Sequence, residues 1–203
     1  MNAEPVRWIV ATSNPHKLRE LATLFDGAPV TLEPLPAGVV LPEETGASFL
    51  ANARLKARAV AKATGGVALA DDSGLEVDAL GGEPGIRSAR FAGENANDLD
   101  NNRLLLEHLR GIHGVNRRAR FRCVLVLASP DGSEVSAEGR IEGFVRDAPS
   151  GQGGFGYDPL FTPEGDARSL AEYTEDEKNA VSHRGRAARK ILEALARLGR
   201  LTP

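Results

Sequence analysis

An α/β fold with a mixed sheet is predicted by two features: strand–helix alternation in the first half of the chain, and two later apolar runs joined by the turn Pro130-Asp131-Gly132. Trp8-Ile9-Val10-Ala11 makes residues 7–12 a first strand. A helix follows at once, with Asn14 as N-cap, Pro15 at the first position, and Leu18, Leu21, Ala22 and Phe25 at i, i+3, i+4, i+7. Gly27 ends it, residues 30–35 read as a second strand, and the stretch to Gly46 is rich in Pro, Gly and Glu. A second helix over residues 48–63 places Phe49, Ala53, Ala57 and Val60 on one face and stops at Gly65-Gly66. The apolar strand Val67-Ala68-Leu69-Ala70 then delivers Asp71 and Asp72 to a turn at Ser73-Gly74. After the Gly-rich stretch 81–85 a third helix spans residues 98–110, and residues 121–128 and 134–144 form an antiparallel pair. A glycine-dense, flexible loop fills 150–156. The last helix, 182–198, turns Ala187, Ala188, Ile191, Leu195 and Leu198 inward.

A chain of 203 residues is long enough to bury most of its apolar surface as one domain or as two lobes sharing a core. Its 41% apolar and 26% charged content is that of a soluble globular protein, and no run approaches the ~20 apolar residues of a membrane span. Met1-Asn2-Ala3-Glu4-Pro5 lacks the basic and apolar regions of a signal peptide. Cys123 is the single cysteine, which excludes an intramolecular disulfide and a cysteine zinc site and points to a reducing, cytoplasmic setting. The formal charge of −3 speaks against a protein that coats nucleic acid. The dense basic run Arg117-Arg118-Ala119-Arg120 reads as a solvated flank of the strand behind it. A few cations converging on one anionic ligand remain compatible with that charge.

Five segments can carry chemistry. Unpaired charge is costly to bury, so two carboxylates at a strand end suit either a solvated turn or a Mg²⁺ ion, which takes oxygen ligands. Thr12-Ser13-Asn14-Pro15-His16-Lys17 lies at a strand-to-helix junction, where free N–H groups and the helix dipole favour phosphate; alternatively Ser13 and Asn14 only cap. Glu43 and Glu44 precede the second helix, and Asn52 and Lys56 lie four apart on one side of it. One of the two glutamates can join Asp72 on a metal while Lys56 holds phosphate, or these residues only complement the dipole and keep the helix soluble. Gly151-Gln152-Gly153-Gly154-Phe155-Gly156 matches G-x-G-x-x-G, yet no helix opens there and Pro159 holds Asp158 extended, so a dinucleotide fingerprint is rejected. Phe155 and Tyr157 can instead stack on a base or pack in the core. Lys178, His183 and Arg184 cluster around a helix start capped by Ser182, where cations need an anion nearby. Cys123 sits in an apolar strand as a structural thiol, and the four histidines lack metal-ligand spacing.

Six stretches, in this order, resemble the non-standard purine NTP pyrophosphatases, the inosine/xanthosine triphosphate (dITP/XTP) pyrophosphatase family. They are Thr12, Asn14 and Lys17; Glu44-Thr45-Gly46 with Phe49, Asn52-Ala53 and Lys56-Ala57; Ala70-Asp71-Asp72-Ser73-Gly74-Leu75; Gly81-Gly82 with Pro84-Gly85; Gly154-Phe155-Gly156-Tyr157-Asp158-Pro159; and Glu177-Lys178-Asn179-Ala180 with Ser182-His183-Arg184. The likeness runs nearly end to end, and Ser13, where glycine is frequent, departs from it without touching a charged group.

The resemblance implies a single catalytic domain over residues 1–203 with an elongated twisted sheet flanked by helices and two lobes around a central nucleotide-binding cleft. It implies a cytoplasmic homodimer that hydrolyses ITP, dITP and XTP to monophosphate and pyrophosphate with Mg²⁺, acting on small-molecule purine nucleotides and on neither nucleic acid nor membrane. Asp72 would be general base and metal ligand, with Glu43 or Glu44 completing the ion's site. Lys17, Lys56 and the junction of Thr12, Ser13, Asn14, Pro15 and His16 would grip the triphosphate, and Asn52 and Ser73 would also bind substrate. Phe155 would stack on the base, Gly156, Tyr157 and Asp158 would also bind substrate, and Lys178, His183 and Arg184 would sense the base's 6-oxo group. A pyrophosphatase for modified pyrimidine nucleotides, a non-enzymatic nucleotide-binding module and a dinucleotide-dependent oxidoreductase are the competing readings.

Overall fold

Four helices begin where the sequence supplies a side-chain acceptor for their unpaired N–H groups. The structure is a computed structural model that describes residues 6–199, so the reading of residues 1–5 as lacking a leader lies outside it. After β1 (Val6–Val10), Asn14 Oδ1 accepts from the amides of His16 at 2.9 Å and Lys17 at 3.3 Å to start α1 (Pro15–Leu24). Following β2 (Val30–Glu33), Ser48 caps α2 (Phe49–Thr64), which stops at the left-handed Gly65. Asn97 with Asp100, and Thr174 with Glu177, form reciprocal capping boxes on α3 (Asp98–His108) and α4 (Glu175–Val181). The remaining elements are β3 (Val67–Val77), β4 (Arg118–Ala128), β5 (Glu134–Val145), β6 (Phe161–Pro163) and α5 (His183–Arg197).

The strands form one mixed six-stranded sheet of order β2-β1-β3-β4-β5-β6. β1 runs parallel to β2 and β3, while β5 and β6 are antiparallel. Ser129 N–H donates to the Ser133 carbonyl at 2.9 Å across the turn that makes β4 and β5 a hairpin.

The chain divides into two compact units, and β3, β4 and β5 each contribute to both. Unit 1 holds the chain to Asp72, Cys123–Gly139 and the chain from Arg184 onward; unit 2 holds Ser73–Arg122 and Arg140–His183. In unit 1 a core of Trp8, Val10, Leu69, Cys123 and Leu125 packs with Leu21 and Phe25 of α1 and with Ala187, Ala188, Ile191 and Leu195 of α5. The core of unit 2 gathers Leu75, Leu105, Phe121, Ile141, Tyr157, Leu160 and Phe161.

Four expectations are corrected. Asp71 and Asp72 do not end a strand: β3 runs on through Ser73 and Gly74 to Val77. A side chain at Gly74 would meet Ser88 Oγ and the Gly85 carbonyl, so that glycine serves a close approach of two backbones and not a turn. A further helix, α4, precedes the last one, and Ser182 is the extended residue between them. Arg117 is not solvated; it is 5% exposed, and its guanidinium donates to the carbonyls of Ile112, Leu109 and Arg146. The glycine-dense loop is pinned and not loose, by Gly153 N–H on the Ala171 carbonyl (2.9 Å), Ser150 N–H on that of Pro159 (2.9 Å) and Ser169 Oγ on that of Ser150 (2.7 Å).

Candidate active site

Because side chains alternate along a strand, Asp71 and Asp72 leave β3 in opposite directions. Leu69 precedes Asp71 on the side that packs against α1 and α5, and there Asp71 meets Lys17, Arg184 and Cys123. Arg184 Nε donates to Asp71 Oδ2 at 2.9 Å, the Cys123 thiol donates to the same oxygen at 3.0 Å, and the Lys17 ammonium pairs with Oδ1. Glu20 of α1 takes the other end of the guanidinium. Burial alone would raise the Asp71 carboxyl, but Arg184 and then Lys17 hold it well below the usual carboxylate range. Burial, with Asp71 beside it, pushes the Cys123 thiol up, so it stays protonated as a donor.

Asp72 shares its side of β3 with the small residues Ala68 and Ala70. Lys56 of α2 reaches back across it: the ammonium lies 3.7 Å from Asp72 Oδ1, 2.5 Å from Glu44 Oε1 and 2.8 Å from the Asp71 carbonyl. One lysine therefore serves two carboxylates. Burial raises the Asp72 pKa to about 6, because the pull of Lys56 and Lys17 is countered by Glu44 and Asp71. Burial opposes the charge of Lys56, yet Asp72 and Glu44 outweigh it and raise that pKa.

Within unit 1 the two glutamates differ: Glu44 faces Lys56, whereas Glu43 is exposed. Asn52, expected to bind substrate, is fully buried and accepts the Gly46 N–H at 2.7 Å, which fixes the turn that carries Glu44. The helix-start amides expected to be open to phosphate are taken by Asn14 Oδ1, and Thr12 Oγ1 accepts from Asn14 N–H at 3.1 Å. Pro15 occupies the first helical turn, Ser13 and His16 are exposed, and His16 Nδ1 lies 2.9 Å from the Arg19 guanidinium. Among the described residues no group of three or more His, Cys, Asp or Glu side chains is set to hold a metal. Asp72 and Glu44 offer oxygen donors alone, which suits a hard divalent cation that completes its shell with water and substrate oxygens. Burial, with Glu44 and Asp71 adding repulsion, raises the Asp72 pKa, and a bound cation would offset that cost.

Within unit 2, Asp158 Oδ2 accepts from Lys178 Nζ at 2.6 Å and from Phe155 N–H at 2.9 Å. The Lys178 ammonium stands 4.9 Å from the centre of the half-buried Phe155 ring. Gly154, at φ +69°, leaves room for Asp158, which a side chain there would strike. Gly156 is gripped at both ends of the residue, its N–H by Asp98 Oδ2 at 2.6 Å and its carbonyl by Asn102 Nδ2 at 3.0 Å. Tyr157 is a correction: it is 4% exposed in the unit 2 core with its hydroxyl on the Ser88 carbonyl at 2.9 Å, so its ring is not presented to a base. His183 is buried and stacks on Phe121, with ring centres 4.8 Å apart and planes at 11°. Arg184, expected beside Lys178 and His183 at the 6-oxo group, has its side chain, 1% exposed, committed to Asp71 and Glu20 in unit 1. Ser73 follows Asp72 in β3, half-buried. Glu20, Asp98 and Asn102 carried no signal in the sequence, since each reads as an ordinary polar residue of a helix.

A sequence model of the Ham1 family matches residues 8–194. A dITP/XTP pyrophosphatase from Deinococcus deserti is 54% identical over 179 residues, covering 88% of this chain and 84% of its own. One of the same description from Thermus thermophilus is 52% identical over 187 residues, covering 92% and 90%. The solved structure of a HAM1 protein from Coxiella burnetii superposes with a TM-score of 0.86 at 38% identity, over 95% of this chain and 99% of that one.

Proposed function

Since the chain belongs to the Ham1 family, we propose that Asp72 is the catalytic carboxylate of a nucleoside triphosphate pyrophosphatase. The enzyme hydrolyses deaminated purine nucleoside triphosphates, such as ITP, dITP and XTP, to the monophosphate and pyrophosphate. The observation that supports the assignment of Asp72 is its burial, at 4% exposure, beside the ammonium that Lys56 shares with Glu44, which leaves a carboxylate with its pKa raised to about 6.

Asp72 takes the proton of the attacking water, a role favoured by a pKa close to the working pH. Asp72 and Glu44 would hold Mg²⁺, which when bound neutralises phosphate charge and acidifies water. Lys17 and Lys56 face the phosphates with ammonium groups fixed beforehand by Asp71 and Glu44, so little reorganisation is needed as charge develops on the departing pyrophosphate. In unit 2, Phe155 stacks on the base, and Lys178, held by Asp158, donates to its 6-oxo group. Adenine presents an amino group at that position and cannot accept from the Lys178 ammonium, which is how the site rejects ATP.

A cytoplasmic homodimer completes the proposal; among the described residues no helix is long and apolar enough to cross a membrane. Pyrophosphate release from a panel of nucleotides, with and without Mg²⁺, tests the reading. Fast turnover of ITP and XTP beside slow turnover of ATP and GTP is expected; equal turnover of all four would refute the base selectivity.

A further inference from the structure

Gly156 follows the Phe155 ring directly in sequence, and α3 holds it from both sides. Its N–H donates to Asp98 Oδ2 at 2.6 Å and its carbonyl accepts from Asn102 Nδ2 at 3.0 Å. Asp98 and Asn102 lie one helical turn apart, so a single rigid element sets both bonds. The two grips differ in character. Asp98 is an exposed residue at the start of α3, and its charge strengthens the bond that it accepts. Asn102 is 8% exposed and sits where water competes little. Helix α3 is itself anchored by Asn101, which bonds to Ala92 N–H at 2.8 Å and to the Ala89 carbonyl at 3.2 Å. The N–H of Phe155 itself is tied to Asp158. An aromatic ring on a loop has two side-chain torsions to lose and a backbone to order when a base stacks on it. A backbone already fixed at Phe155 N–H and at Gly156 removes part of that cost.

We infer that Asp98 and Asn102 are positioning residues that hold the Phe155–Gly156 backbone ready to receive the purine base. The inference rests on the stacking role given to Phe155 above. Neither residue touches substrate; each acts through Gly156. Their loss therefore weakens binding of the base and spares both the hydrolytic step and the grip on phosphates.

The experiment compares wild type with Asp98→Ala, Asp98→Asn, Asn102→Ala and Phe155→Ala. Asp98→Ala is expected to raise KM for ITP about tenfold, the equivalent of ~1.4 kcal/mol, with kcat within about twofold. Inhibition by inorganic pyrophosphate, which has no base, is expected to stay unchanged. Asp98→Asn keeps an acceptor oxygen and is expected to restore most of the KM. Amide exchange across residues 151–158, read on the folded protein without substrate, is expected to quicken in Asp98→Ala and in Asn102→Ala. An unchanged KM in Asp98→Ala together with a raised KM in Phe155→Ala overturns the positioning role and leaves stacking intact. An unchanged KM in Phe155→Ala overturns both. A lowered melting temperature with KM and exchange unaltered shows a fold restraint only, and overturns the inference as well.

Discussion

Asp71 and Asp72 are separated by one peptide bond yet occupy opposite electrostatic surroundings, and the difference decides their roles. Asp71 has two cations and a thiol donor, so its charge is fully answered. Replacing it with Asn removes the charge that the buried Arg184 and Lys17 pair with and is expected to cost about 3–5 kcal/mol at pH 7, read by urea unfolding. The Asp71 pKa is depressed on folding, so the stability it supplies is present above about pH 4 and is lost as pH falls through its folded value. The deficit of Asp71→Asn should thus narrow in strong acid; a constant deficit would mean packing, not charge. Asp72 has the reverse sign. Its folded pKa of about 6 exceeds the ordinary 3.8, so the folded state keeps a proton that the unfolded chain releases. Stability is therefore lost as pH climbs from about 4 to 6, by an amount on the order of 3 kcal/mol. In EDTA, Asp72→Asn should melt above wild type at pH 8 and level with it near pH 4. Equal melting at pH 8 would show that Asp72 is solvated.

At the scale of elements, continuity of β3 makes this division possible. A turn at Ser73-Gly74 would let both carboxylates reach solvent, whereas an unbroken strand sends one to each side. Gly74→Ala is expected to destabilise the protein by about 1–3 kcal/mol in thermal melts, since the added methyl meets Ser88 and the Gly85 carbonyl; an unshifted melt would mean that this approach is loose. The sequence misled at this point because Asp-Ser-Gly is ordinary turn chemistry, and only Gly85 and Ser88, further along the chain, explain the glycine. Local signals served better. Asn14, Pro15, Ser48 and Gly65 marked helix ends because capping is decided within four residues. The burial of Arg117, the pairing of Arg184 with Asp71 across 113 residues, and the hold of Asp98 on Gly156 across 58 were illegible, since nothing local encodes a distant partner.

For the whole molecule, a basic buried carboxylate is a standing cost to the fold, and a bound cation should offset it. Mg²⁺ at about 100 times its dissociation constant is expected to stabilise wild type by ~2.7 kcal/mol, and to do far less for Glu44→Gln or Asp72→Asn. Matching thermal shifts in all three proteins would place the ion elsewhere. The account as a whole turns on Asp72 as the group that activates water. Its most direct test is the rate of pyrophosphate release from saturating ITP with Mg²⁺ by wild type and by Asp72→Asn, after amide exchange has shown the variant folded. The predicted result is a loss of about 10²-fold or more in kcat. A folded Asp72→Asn enzyme that turns over ITP within a few-fold of wild type would contradict it.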